Sequence, residues 1–184
     1  MDIHIRQLTA DNQDDWIDFD DSFTVDSILI LHANHNKIGY TVKEIPRYEK
    51  SYSSDPNEET TDSDYSAYIA NPNQIVYLAY LENKAVGQII LKKNWNHYAY
   101  IEDIKVDKQS RRSGAGRLLI EQAKQWAKSA GLPGIMLETQ NNNVRACKFY
   151  ESCGFVIGGF DSFLYKGLDE SSNEIAIFWY FTFE

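Results

Sequence analysis

Residues 106–119 (VDKQSRRSGAGRLL) constrain this chain more than any other stretch. They run from the end of an alternating apolar segment, through Arg111-Arg112-Ser113-Gly114-Ala115-Gly116, into the start of a helical apolar pattern. The first N–H groups of a helix have no intrahelical partner, and the aligned peptide dipoles leave about half a positive charge there. Glycines let the main chain approach an anion with no Cβ in the way, so phosphate oxygens suit this place. Arg111, Arg112 and Arg117 are placed to add charge-assisted hydrogen bonds. The string also reads as a plain connecting loop with a basic rim. It lacks the Gly-Lys-Ser/Thr of a P-loop and the full G-x-G-x-x-G of a dinucleotide fold.

The surrounding pattern sets the fold class. Residues 74–81 (QIVYLAYL) and 85–92 (AVGQIILK) read as strands around Glu82-Asn83-Lys84, a loop of hairpin length. Residues 98–106 (YAYIEDIKV) add a third strand to this meander, with Ile101, Asp103 and Lys105 facing opposite to Glu102, Ile104 and Val106. Beyond the glycine loop, Leu119, Ala123, Trp126, Ala127 and Ala130 recur at helical spacing until Gly131 and Pro133 stop the run. A strand over 135–139, a helix over 143–152 ended by Gly154, and strands near 155–165 and 174–183 follow. The N-terminal third reads as one strand over 3–8 and one or two helices. This order predicts an α/β chain with a mixed, mostly antiparallel sheet flanked by helices. A length of 184 residues predicts one domain over 1–184, with about 70% of the unfolded surface buried.

Charge narrows the partners. Eighteen Lys and Arg against 27 Asp and Glu leave a net −9, a field that repels nucleic acid and anionic membranes and favours a cationic small molecule. Acidity serves solubility as well. The stretch 55–64 (DPNEETTDSD) holds five acids and no base, and reads either as a solvated loop or as an electrostatic lid over a cation. No apolar run reaches the ~20 residues of a membrane helix, and the start has no signal-peptide pattern, so a cytoplasmic protein is expected. Cys147 and Cys153 form no disulfide framework, and the four histidines show no metal spacing, so no metal is expected.

R-x-x-G-x-G after a meander, then a helix, a strand and a second helix bearing Phe149-Tyr150-Glu151 and Gly154-Phe155, resembles the GCN5-related N-acetyltransferase (GNAT) family over roughly 74–183. Within it, residues 137–147 (LETQNNNVRAC), Cys153-Gly154-Phe155, Gly158-Gly159, Asp161, Tyr165-Lys166, Trp95-Asn96 and Ser172-Asn173-Glu174 resemble the branch that acetylates streptothricin-type antibiotics on their β-lysine arm. The resemblance implies acetyl-CoA as co-substrate and antibiotic resistance as the outcome. An aminoglycoside, a polyamine or a protein lysine as acceptor, or a non-catalytic coenzyme-binding module, are the alternatives.

The resemblance also implies roles for individual residues. Arg111, Arg112, Ser113, Gly114, Ala115, Gly116 and Arg117 would hold the coenzyme's pyrophosphate. Arg112 departs from the family, which usually has glycine there. Main-chain groups of Ile104, Lys105 and Val106 would serve the oxyanion and the pantetheine arm. Asn142 or Asn143 would cap the second helix and contact that arm. An alkylammonium with a pKa near 10.4 needs a proton acceptor, for which Glu102 is the candidate base, directly or through water. Tyr150 matches the tyrosine that protonates or hydrogen-bonds the departing thiolate. Trp95, Glu138, Asp161 and Asp64 are candidates for holding the cationic acceptor, Trp95 by cation–π attraction with Tyr98 and Tyr100 nearby. Each also has a plainer reading: a surface carboxylate for Glu102, a packing tyrosine for Tyr150, a turn cap for Asp161. The aromatic final strand suits a buried strand or a homodimer edge.

Overall fold

The computed structural model describes residues 2–15, 19–52 and 66–184. In chain order the elements are β1 (Ile3–Gln7), β2 (Phe23–Asn34), β3 (Lys37–Lys50), the single turn α1 (Ser66–Ile69), β4 (Gln74–Leu81), β5 (Lys84–Lys93) and β6 (Ala99–Val106). Helix α2 (Ala115–Ser129), β7 (Gly134–Gln140), α3 (Val144–Ser152), β8 (Val156–Asp161) and β9 (Ala176–Thr182) complete it. These elements fall into two compact units: Met1–Ser22, Ser51–Ile135 and Phe183 in the first, Phe23–Lys50, Met136–Thr182 and Glu184 in the second.

In the first unit the strands run β1-β4-β5-β6, each pair antiparallel. Alternation sends Val76, Leu78, Tyr80 and Ile90 to one face, where they form a cluster with Leu8 and Phe19 against Tyr68 and Ile69. The stripe Ala115, Leu119, Ile120, Ala123 and Ala127 buries α2 against the sheet. Trp126, read from sequence as part of that stripe, is half-buried. Gly131, at φ 68°, stops the helix with paired bonds from Gly131 N to Lys128 O and from Leu132 N to Ala127 O.

Gly87 allows this packing. A Cβ built there would lie 2.8 Å from the Lys105 carbonyl oxygen, 3.2 Å from Val106 Cγ2 and 3.5 Å from Leu119 Cδ1. Gly87 pairs with Val106 in the ladder, so β6 cannot retreat without breaking that pairing. Gly87→Ala is therefore expected to lose about 1–3 kcal/mol, read as a lower urea midpoint at unchanged slope.

Two details differ from the sequence expectation. Lys84 pairs with Leu81, so the β4–β5 loop is only Glu82-Asn83, both left-handed at φ 50° and 68°. That is the twist a two-residue hairpin turn needs. In β6, Ile90 pairs with Asp103 and Leu91 with Ile101, which leaves Glu102 as the extra residue of a β-bulge. The bulge shifts the alternation by one. Ile101, Ile104 and Val106 now share a face, while Asp103 and Lys105 lie on the other, so the expected grouping of Ile101 with Asp103 and Lys105 is corrected.

In the second unit the strand order is β7-β9-β8, beside the hairpin of β2 and β3. The hairpin corrects the reading of the N-terminal third: where one or two helices were expected, residues 23–50 form two long antiparallel strands. Their turn is His35-Asn36, left-handed at φ 46° and 64°, which carries no Asn-Gly signature. Pro46, a strand breaker in the sequence, sits where the register skips between Val25 and Ser27, so its missing N–H interrupts no paired position. Asn143 caps α3 by accepting from Ala146 N, and Gly154 at φ 90° ends it. The whole is a mixed α/β architecture of mostly antiparallel strands with helices packed on them. No described helix is long and apolar enough to cross a membrane.

Candidate active site

In the first unit the glycine loop sits where the sequence places it, between the end of β6 and α2. Gly114, at φ 99°, is the N-cap of α2, with nothing within 4 Å of the space a Cβ would take. Ser113 Oγ accepts from Ala115 N at 3.4 Å, and Arg112, Ser113, Gly114 and Arg117 are exposed. The 15-residue helix thus begins at an open backbone. Arg111 is engaged differently from its neighbours. Its guanidinium donates to Val106 O at 3.2 Å, Ser22 O at 2.7 Å and Asp20 O at 3.3 Å, so it ties the loop to the segment before β2. Arg112 is left-handed at φ 65°, which explains why glycine suits that position: the left-handed region is costly for a residue with a Cβ. Arg112→Gly is expected to gain up to about 1 kcal/mol in a denaturation midpoint, the relieved strain outweighing the added freedom of the unfolded chain.

Glu102, carried outward by the bulge, accepts from Lys92 Nζ at 2.6 Å. Ile104, Lys105 and Val106 are half-buried at the end of the same strand. Lys105 Nζ lies 3.8 Å from Asp21 and 3.9 Å from Asp103. Asp103 also accepts from Gln88 Nε2 at 2.5 Å, and burial first of all raises its pKa. Sequence reasoning did not single out this network, because Asp21, Gln88 and Asp103 meet only through pairing between distant strands. Trp95 stands 87% exposed on the turn between β5 and β6. Asp64 and the stretch 55–64 lie outside the described residues.

In the second unit β7 presents two different faces. Thr139 points into an aromatic core, accepting from Trp179 Nε1 at 3.0 Å and lying 3.4 Å from Cys147 Sγ. Tyr150, buried on α3, belongs to that core, its ring 5.4 Å from Phe149, 6.0 Å from Phe155 and 6.4 Å from Trp179. Glu138 and Gln140, two residues apart, share the other face. There Lys50 Nζ donates to Gln140 Oε1 at 2.7 Å and to Glu174, and Asn142 Nδ2 donates to Glu174 at 2.8 Å and to the Tyr48 hydroxyl at 3.2 Å. Lys50 and Tyr48 were not foreseen, being some ninety residues or more from their partners. Asp161 is the turn cap of its plainer reading, accepting from Phe163 N at 2.7 Å and Leu164 N at 3.1 Å. Cys147 and Cys153 are both buried and form no disulfide with each other.

Burial, and then the charge of Glu174, push the Glu138 carboxyl up to about 7. The folded protein therefore holds this proton more tightly than the unfolded chain, whose carboxyl titrates near 4.5. The resulting stability is fully present below that lower value and is lost as pH rises through about 7. Glu138→Gln removes the loss. Its stability gain over the parent is expected to be negligible at pH 4 and about 1–2 kcal/mol at pH 8, allowing for solvent screening of a partly exposed group. Denaturation at the two pH values checks it.

Comparison with known proteins agrees with this geometry. The sequence profile of the Acetyltransferase (GNAT) family matches residues 43–155. Streptothricin acetyltransferase A of Bacillus subtilis (strain 168) is 38% identical over 180 residues, 97% of this chain and 99% of that protein. A streptothricin acetyltransferase of Escherichia coli is 37% identical over 89% of this chain and 87% of its own. A crystal structure from Bacillus anthracis str. Ames, in complex with acetyl coenzyme A, is 55% identical with a TM-score of 0.90, covering 99% of this chain and 100% of that one. Nourseothricin acetyltransferase, at 24% identity and a TM-score of 0.77 over 98% of both chains, shares the fold. With the glycine loop opening α2, the meander before it and these full-length likenesses in hand, the chain belongs to the GNAT family of acetyltransferases and is an N-acetyltransferase.

Proposed function

We propose that this enzyme transfers the acetyl group of acetyl-CoA to an amine on the β-lysine arm of a streptothricin-type antibiotic, and so confers resistance to it. The observation that carries the reading is the 38% identity along 97% of the chain to a streptothricin acetyltransferase, with almost nothing of either protein left unmatched. The acetyl coenzyme A in the Bacillus anthracis structure supports the choice of co-substrate.

In this reading residues 1–184 act as one catalytic domain. The open start of α2, from Arg112 to Arg117, takes the pyrophosphate through the N–H groups of its first turn and exposed guanidinium charge. Arg111 contributes mainly by fixing the loop, because its donors already serve three carbonyl oxygens. Main-chain groups at Ile104, Lys105 and Val106 align the pantetheine arm, and Asn143 contributes through the start of α3. Glu102 accepts the proton of the attacking amine, directly or through water, which requires it to exchange Lys92 for the incoming group. Attack forms the C–N bond, the C–S bond breaks, and Tyr150 supplies a proton or hydrogen bond to the leaving thiolate. A net charge of −9 favours a cationic acceptor over nucleic acid. A cytoplasmic location fits the supply of acetyl-CoA. A homodimer is supported by exposed Val156, Phe160, Phe163 and Leu168 on and after the edge strand β8.

The test mixes purified protein, acetyl-CoA and a panel of amines, and follows free thiol. Streptothricin-dependent release is expected. Release only with an aminoglycoside, a polyamine or a lysine peptide would move the acceptor. Coenzyme binding without release on any amine would make the chain a binding module.

A further inference from the structure

The outer face of β7 carries a polar cluster with more acceptors than donors. Glu174 accepts from both Lys50 and Asn142, and Gln140 accepts from Lys50. Two oxygens in this cluster are buried and have no hydrogen-bond partner among the described residues: Glu138 Oε1 and Asn142 Oδ1. Asn142 is only 4% exposed, and its amide orientation is fixed, because its nitrogen must face the Glu174 carboxylate. Its oxygen is therefore left over by construction. A buried acceptor without a donor costs about 1–3 kcal/mol, a cost that a bound donor would recover at each oxygen. The charges point the same way. Glu174 is paired with Lys50, and when Glu138 is ionised its charge adds to that of Glu174. Glu138 itself is half-buried, so the cluster is not sealed.

We infer that Glu138 and Asn142, backed by Glu174, form the subsite that receives a protonated primary amine of the acceptor. An alkylammonium presents three N–H donors and one positive charge, which answers both orphaned oxygens and the charge imbalance at once. A hydroxyl would satisfy one oxygen and leave the charge. A guanidinium presents a planar fork suited to paired carboxylate oxygens, whereas here the amide and carboxylate oxygens lie on separate side chains. The inference rests on the proposed acceptor class. It also gives Asn142, one of two candidates for the coenzyme's arm with Asn143, to the acceptor's side, and leaves the cap of α3 to Asn143.

Calorimetric titration of streptothricin into the coenzyme-free enzyme tests it, with acetyl-CoA titrated separately. Glu138→Gln keeps the shape and is expected to weaken streptothricin binding about 10- to 100-fold, the scale of a hydrogen bond to a charged group. Glu138→Asp should recover part of the loss, and neither variant should move the acetyl-CoA dissociation constant by more than about twofold. Parental binding of streptothricin with Glu138→Gln overturns the subsite and leaves the proposed function standing. Equal losses of coenzyme and acceptor overturn it as well, since they report a general defect. If the parent ignores streptothricin but acetylates another amine, the proposed acceptor falls. The same variants are then titrated with that amine, and an unchanged affinity overturns the subsite.

Discussion

Tyr150→Phe should lower turnover about 10²-fold or more, while the dissociation constant of acetyl-CoA stays within about twofold of the parent. The substitution removes one oxygen and leaves the ring. That ring is held among Phe149, Phe155 and Trp179, so packing and the position of α3 survive. What is lost, in the proposed mechanism, is a donor to the thiolate that departs when the tetrahedral adduct collapses. A phenol near pKa 10 and a thiol near 8.5 are close enough that hydrogen bonding alone stabilises the leaving group usefully, and full transfer needs only modest tuning. A donor that acts only as the C–S bond breaks affects the transition state more than the ground state, so kcat and kcat/KM should fall together. Steady-state kinetics with thermal denaturation on the same sample decides it. Parental turnover, or a fall matched by a loss of folded protein, would remove Tyr150 from the chemistry.

How much of this was legible in the sequence follows from how local each signal is. The loop from Arg111 to Gly116 and the helix after it were readable because glycine placement and helical periodicity are local. A cap at Asn142 or Asn143 and the Gly154 stop of α3 were readable for the same reason, and the structure gives the cap to Asn143. The β2–β3 hairpin was not, because His35-Asn36 is a turn whose handedness shows only in the backbone. The bulge at Glu102 was also invisible. An extra residue in one strand is defined by its partner, and here it changed which side chains share a face with Asp103. Arg111 shows a subtler limit. Its type and position suit a phosphate, yet the carbonyls of Asp20 and Ser22, about ninety residues away, take its donors. Glu138 is a candidate in the sequence, but Glu174, whose charge acts on it, comes from another part of the chain.

Trp179→Ala should cost about 3–5 kcal/mol, the usual penalty for emptying a large aromatic site in a core. Trp179 is 1% exposed, so nothing but protein surrounds the space its ring would vacate. The change also takes the indole N–H from Thr139 Oγ1, whose remaining neighbour is the weakly polar Cys147 sulfur. With typical domain stabilities of roughly 5–15 kcal/mol, the variant should sit near the threshold of folding at 37 °C. Trp179→Phe separates the two contributions: it refills most of the volume but not the hydrogen bond, and should cost about 1–2 kcal/mol. Urea denaturation of both variants, read at constant slope, gives the two values. The pair also bears on mechanism, because Trp179 packs against the ring of Tyr150, the proposed donor. Trp179→Phe should therefore keep far more turnover than Tyr150→Phe at temperatures where both are folded. If the order were reversed, the hydroxyl of Tyr150 would matter less than the packing beneath it, and the tyrosine would be a structural residue of the core.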